Sequence, residues 1–372
     1  MTTETATPIA FTHTGSLRNI IGLAAKNAIL GIVTLTLYRF WARTSVRRRV
    51  WSRAWVMGDP FEYTGAGWEL FRGFLISLPT FFLPAIFVFY IAPFALEPVY
   101  AVWLTLGFYV LVVPLIAAAR YWMRRYQLSR TRWRGIQLGL AGSAWGFAFA
   151  SWGWSVLQLL TLGWYTPVAR MNRARMLWEN ARFGDQPFEF ARDPEGDARG
   201  LWWPFALGWF GFPIAMVAGW IAAVATIVPF AAAMAGTTST ANPAAMGAIG
   251  IVVVALWLIF TLAAWLFTWM PYRAAAMNRI ASMISIDGAR FKLRANTWSL
   301  FGISLLGWLI TIFSLTLLAP LAGLLQVRYI VNRLEITHPP RFAEIGQAIA
   351  QGPRSGESFA DAFDLDLGVG MI

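Results

Sequence analysis

Arginine is the residue of this chain whose type and spacing could do chemistry. The 372 residues hold 28 Arg against 2 Lys, no Cys, and only two His, His13 and His338, near opposite ends. A guanidinium is a permanent cation with five donors in a planar fork, suited to phosphate and carboxylate. It recurs at helical spacing: Arg43, Arg47, Arg48 and Arg49 in one stretch, Arg120, Arg124 and Arg125 in a second, Arg170, Arg173 and Arg175 in a third, and Arg328 later. Each stretch would present a cationic helix face. Two roles fit such faces. They grip anionic lipid headgroups, or they only hold loops on the cytoplasmic side during insertion.

Other chemistry has little to work with. Without cysteine there are no disulfides, thiolate metal sites or cysteine nucleophiles, and two distant histidines are too few for an intramembrane metal centre. No cofactor and no metal are expected. The acids, Asp59, Glu62, Glu69, Glu97, Glu179, Asp185, Glu189, Asp287 and Glu335 among them, all fall outside the apolar runs. Glu62 and Glu189 are read as structural partners of the basic helices rather than general bases. A coupled transporter places ionisable groups near the midplane. Lys26 is the one deeply placed charge, read as a snorkelling side chain. The reading is therefore of a protein that is not an enzyme.

The elements that carry the arginines are set by the bilayer. Only 13% of residues are charged and 58% are hydrophobic, against about 25% charged in soluble proteins. The net charge of +12 does not point to nucleic acid, because 26 of the 30 basic residues fall in five clusters, each between apolar stretches. Residues 73–96 and 99–119 read as one pair of spans, and 201–225 with 248–270 as another. The apolar runs ending at Tyr38, Tyr165 and Leu318 are single and about 20 to 28 residues long, too short for two crossings. One crossing would put a basic cluster on the wrong side. They are read as re-entrant or interfacial segments, with Gly153, Gly302 and Gly307 as bend candidates. Seven plain spans are the alternative. Both termini and all five clusters are expected on the cytoplasmic side, with Glu97 and Thr238 on the other.

Self-comparison adds an internal repeat. "TLTLYRFWARTSVRRRVWSRAWVMGDPFEY" from Thr34 aligns with "TLGWYTPVARMNRARMLWENARFGDQPFEF" from Thr161, and fainter copies start at Val113, Met270 and Ser314. Each reads as an apolar run, a basic helix opened by an aromatic or by Pro167, Pro271 or Pro320, a glycine turn and a short strand. Five such strands are expected to form a small cytoplasmic sheet. The fold class is an all-α polytopic membrane protein with internal repeats, four full transmembrane helices and three re-entrant or interfacial segments. Its parts are a polar tail at 1–10, one membrane domain at 11–350 (units 11–60, 61–135, 136–187, 188–290 and 291–340), and an acidic, disordered tail at 351–372. That tail, with Glu357, Asp361, Asp364 and Asp366, is expected to contact the basic face.

The repeated unit from Thr161, the "RTRWRGIQLGLAGSAW" element and the basic helices between apolar runs resemble the YjgN family of bacterial inner-membrane proteins, over roughly 11–340. The resemblance implies a multi-pass inner-membrane protein and carries no catalytic or binding residues, because the family's function is unknown. The third copy departs from the pattern, with Gly323 where the second has Arg170. Together these readings favour a non-enzymatic scaffold that engages anionic membrane lipids, with a channel or uncoupled transporter for a small solute as the alternative. Homo-oligomerisation is compatible with either, and nucleic acid is not expected as a partner.

Overall fold

The computed structural model describes residues 9–237, 243–337 and 345–346. The acidic tail, His338 and Thr238 lie outside the described residues. Among the described residues, ten helices alternate with short strands. Four are long and apolar enough to cross a membrane and form two antiparallel pairs. The first pair is α3 (Gly67–Ala95) and α4 (Pro98–Ser129), joined around Glu97. The second is α7 (Trp202–Thr237) and α8 (Pro243–Met283). Pro79 and Pro84 do not break α3. Two π-helical turns, Leu78–Phe82 and Phe87–Ile91, carry the helix on, an accommodation of lost backbone donors that transmembrane helices tolerate. Pro271 was expected to open a helix but lies inside α8, as Pro114 lies inside α4. In both span pairs the second helix therefore runs from apolar to basic without interruption.

The three single apolar runs are built differently. Each is a 17-residue helix that reverses at once into a 13-residue basic helix: α1 (Leu17–Val33) into α2 (Arg39–Trp51), α5 (Ala144–Leu160) into α6 (Thr166–Trp178), and α9 (Thr297–Phe313) into α10 (Ala319–Val331). At 1.5 Å per residue the arms are about 25 and 20 Å long, less than the roughly 30 Å hydrocarbon core. The reversals fall at 34–38, 161–165 and 314–318, not at Gly153, Gly302 or Gly307. Those three glycines sit within continuous helices. Gly307 instead allows close packing, since a Cβ there would stand 3.2 Å from the Cβ of Ala322 on α10.

All three turns use one geometry. The residue after the C-cap, Leu35, Leu162 or Leu315, takes a φ of 48 to 50°. The N–H of the next residue then bonds five residues back: Thr36 to Gly31 O, Gly163 to Gln158 O, Thr316 to Thr311 O, at 2.6 to 2.7 Å. This is the Schellman pattern with leucine where glycine is usual. The C-cap hydroxyl starts the second arm: Thr34, Thr161 and Ser314 accept from the N–H of Tyr38, Tyr165 and Leu318 at 2.9 to 3.0 Å. Pro167 and Pro320 follow in the first turn of α6 and α10, as expected.

The strands do more than form a five-stranded patch. A seven-stranded sheet runs β2-β3-β4-β5-β6-β7-β8 and a five-stranded one β1-β12-β11-β10-β9, with all pairs antiparallel. β1 (Ile9–Ala10) and β2 (Thr12–His13) are separated only by Phe11, and β8 (Gln186–Pro187) and β9 (Glu189–Phe190) only by Phe188. The hydrogen-bonded order therefore closes on itself, which removes free sheet edges. Ile9 and Ala10, expected in a polar tail, are part of this ring. Two-residue turns with positive φ at both central positions, Met57-Gly58, Arg134-Gly135 and Asp287-Gly288, join β3 (Ala54–Val56) to β4 (Asp59–Tyr63), β5 (Thr131–Trp133) to β6 (Ile136–Leu140), and β10 (Ile284–Ile286) to β11 (Ala289–Leu293). Such turns match the twist of hairpin strands.

Val56, Trp133 and Leu140, Phe183 of β7 (Ala181–Phe183), Phe188, Phe190, Ile284, Ile286 and Ile336 of β12 (Leu334–Ile336) share one buried core. It continues into Tyr121, Met171, Phe205 and Tyr272, so the basic ends of the helices rest on the ring. Ile345 joins the same core, and Gly346 O accepts from Asp185 N at 3.1 Å. Around the ring the hairpins and span pairs alternate. α2 packs on α3, α4 on α5, α6 on α8, α8 on α9, and α10 on both α1 and α2, which closes the circle.

Candidate anion-binding faces

The arginines divide into those consumed by the fold and those left facing outward. Arg125 is consumed: its Nε donates to Leu140 O at 3.0 Å and its Nη2 to Gly142 O, tying α4 to the strand that precedes α5. Arg175 pairs with Asp197, and Arg279 with Asp193. Both acids sit in the link between β9 and α7, where Asp197 also accepts from Asp193 N at 3.0 Å. The link thus staples α6 to α8. The bond from Arg279 holds the Asp193 carboxyl below its usual range. Glu62 and Glu189 do not serve the basic helices as expected. Glu62 stands opposite Arg132 across β4 and β5, and Glu189 opposite Ser285.

On the first hairpin Arg48 and Arg49 face outward. Ser45, Arg48, Arg49 and Ser52 fall at positions i, i+3, i+4 and i+7 of α2 and share one face. With Arg53 and Leu23 of α1 they line an open pocket of about 480 Å³. Arg48 donates to Gly65 O at 3.1 Å. Arg49 is exposed, and its guanidinium forms no hydrogen bond or ion pair among the described residues. Three guanidiniums, two hydroxyls and one leucine line it. The donors of such a set suit the oxygens of a phosphate or carboxylate group. Arg43 and Arg47 lie on the same helix, half-buried.

Behind this pocket sits His13, buried in β2. Its Nδ1 accepts from Gly15 N at 3.1 Å, so the proton is on Nε2, 3.2 Å from Val50 O near the end of α2. Burial, with help from the charges of Arg328 and Arg53, keeps the imidazole below its usual pKa and so neutral. Arg328 is exposed on α10 next to this cluster. Arg120 is exposed on α4, Arg124 is half-buried there, and Arg170 and Arg173 are half-buried on α6.

Serines 45 and 52, Arg53, Asp193 and Asp197 were not singled out from sequence. The pocket face had a readable signal, the S-x-x-R-R-x-x-S-R spacing from Ser45. The staple had none, because the acids lie in an irregular loop and their partners on two different helices. No group of residues with metal-ligating chemistry occurs among the described residues.

No curated protein and no solved structure matches the chain. Residues 8–362, nearly the whole sequence, match a family described as bacterial protein of unknown function (DUF898). The four long apolar helices agree with the multi-pass architecture that the YjgN-like resemblance implies, and the chain belongs to this DUF898 family.

Proposed function

We propose that this protein is a non-enzymatic scaffold of the bacterial inner membrane. It inserts three short hairpins from the cytoplasmic side and holds anionic phospholipid headgroups against the arginines at their bases. The observation that carries this reading is the chemistry of the hairpin tips. Every backbone N–H from Thr34 to Arg39 has an acceptor inside its own turn, and the same holds from Thr161 to Thr166 and from Ser314 to Ala319. Hydrocarbon demands this of any chain reversal, since water is not available to complete a bond. The leucines at the tips are uncovered, Leu35 84%, Leu162 75% and Leu315 81% exposed, beside the exposed threonines Thr36 and Thr316. In water each would forfeit roughly 1.5 to 3 kcal/mol.

In this reading the termini, the strand ring and the basic clusters are cytoplasmic, because the arginines lie at the ends of α2, α4, α6, α8 and α10 nearest the ring. The five helix-and-strand units descend from one repeated element, realised three times as a short hairpin and twice as a span pair. The hairpins add volume to one leaflet only, which makes the molecule a wedge.

The test is lipid retention. Arg48→Gln, Arg49→Gln and Arg53→Gln together should remove about 3 kcal/mol of headgroup attraction, at about 1 kcal/mol per arginine, a roughly hundredfold loss. Native mass spectrometry of the purified protein should then show phosphatidylglycerol depleted relative to the parent. Unchanged retention in a correctly inserted variant would leave these arginines with a topological role alone.

A further inference from the structure

His13 sits where the first strands of the chain close the ring against the last. β1 pairs with β12, and β2 pairs with β3, with His13 opposite Ala54. Three hydrogen bonds hold the residue. Its backbone N–H donates to Oδ1 of Asn332, the C-cap of α10, at 2.7 Å. Its Nδ1 accepts from Gly15 N at 3.1 Å, and its Nε2 donates to Val50 O on α2 at 3.2 Å. The residue therefore joins the first and third hairpins. It also lies close to Arg53. A Cβ on Gly15 would stand 2.5 Å from His13 Cε1 and 3.6 Å from Arg53 Cβ, and Thr14 N donates to Arg53 O at 2.9 Å.

The charges that bear on the imidazole come from two elements and have one sign. Arg53 follows α2, and Arg328 lies on α10 one turn before Asn332, whose N–H bonds to Arg328 O at 3.1 Å. β2 itself carries no other charge, and no carboxylate among the described residues bears on the ring. A proton gained by His13 would add a third cation here. It would also end the bond from Gly15 N, because an imidazolium has two donors and no acceptor. Arg53 belongs at the same time to the α1/α2 pocket, with Arg48 and Arg49. An anion held there supplies the counter-charge that the imidazolium lacks. Such coupling is reciprocal, so whatever the anion does for the proton, the proton does for the anion.

We propose that His13 makes the α1/α2 pocket proton-sensitive: binding of an anionic headgroup and protonation of His13 favour each other, so the protein holds such lipids more tightly as pH falls. This device rests on the headgroup reading of the pocket and adds its regulation. One extra cation beside an anionic headgroup corresponds to about 1 kcal/mol, or roughly fivefold in affinity. The same coupling raises the midpoint of His13 titration by about 0.7 pH units when the lipid is bound.

The experiment uses the full chain in neutral detergent with His338→Gln, which leaves His13 as the single histidine. Histidine NMR follows its titration with phosphatidylglycerol and, as control, with phosphatidylcholine. Phosphatidylglycerol should move the midpoint upward by about 0.7 units, and the neutral lipid should not. Native mass spectrometry at pH 7.5 and pH 5 supplies the reciprocal arm: affinity for phosphatidylglycerol should rise on acidification by up to about fivefold in the parent and stay level in His13→Gln. The phosphodiester remains ionised over this range, so the change belongs to the protein. A midpoint that is the same with either lipid, or equal pH profiles in parent and His13→Gln, would overturn the proposal. Arg48→Gln, Arg49→Gln and Arg53→Gln together separate the two readings. If that variant loses phosphatidylglycerol while the His13 midpoint of the parent ignores the lipid, only the proton coupling fails. If it retains the lipid like the parent, the headgroup reading itself fails.

Discussion

At the scale of single residues, two side chains hold the helices to the strand ring by opposite electrostatic means. His13 does so neutral. Its depressed pKa means that protonation costs the folded state more than the unfolded one, so its stabilising contribution is complete above the ordinary histidine pKa of 6.5. That contribution is lost as pH falls through the lower folded value. The melting temperature should therefore decline from pH 7 towards pH 5, and His13→Gln should flatten the decline. An equally steep decline in the variant would place the acid sensitivity elsewhere. Asp197 works charged, against Arg175, with side chains only 12% and 21% exposed. Asp197→Asn leaves a largely covered guanidinium without its counter-charge, and denaturant unfolding should show a loss of about 2 to 4 kcal/mol. A loss below about 0.5 kcal/mol would mean that the pair behaves as an exposed one.

At the scale of elements, the hairpin turn explains both what was readable in the sequence and what was not. The single apolar runs, too short for two crossings, read as re-entrant or interfacial segments with seven plain spans as the alternative, and in the structure each ends in a helix reversal. Its position was missed because glycine is the usual signal for the left-handed residue after a helix, and here Leu35, Leu162 and Leu315 fill that place. Leucine is disfavoured there by roughly 1 to 2 kcal/mol, yet on the proposed reading, in which the tip faces lipid, it is the side chain the tip needs. The hydroxyl that precedes it, in the TL, TL and SL dipeptides, was the available clue. Leu35→Gly should accordingly raise stability in detergent by about 1 kcal/mol while weakening insertion of the tip. Thr161→Val removes a side-chain cap and should cost about 1 kcal/mol. Equal midpoints for parent and Thr161→Val would show that the hydroxyl is not needed to start α6. The strands were legible as alternating runs such as Phe61-Glu62-Tyr63. Their closure was not, because no local pattern records that 9–13 and 186–190 each bridge two neighbours.

At the scale of the whole molecule, alternating short and long helical hairpins stand on one closed strand ring. Among the described residues four helices are long and apolar enough to cross a membrane, while the arms of the three hairpins, at about 25 and 20 Å, fall short of the roughly 30 Å hydrocarbon core. On the proposed reading, tip depth and headgroup contact are two consequences of that one architecture. The most direct test is the depth of the tips. The chain has no cysteine, so single cysteines at Val33, Leu160 and Phe313, the last residues of α1, α5 and α9, can carry nitroxide labels in anionic vesicles. Accessibility to oxygen relative to a water-soluble nickel complex should be greatest at these three positions, near the bilayer centre, and should fall again along α2, α6 and α10 towards the side from which each hairpin started. Labels on those second helices that emerge instead into water on the opposite side would contradict the hairpin reading and restore seven plain spans.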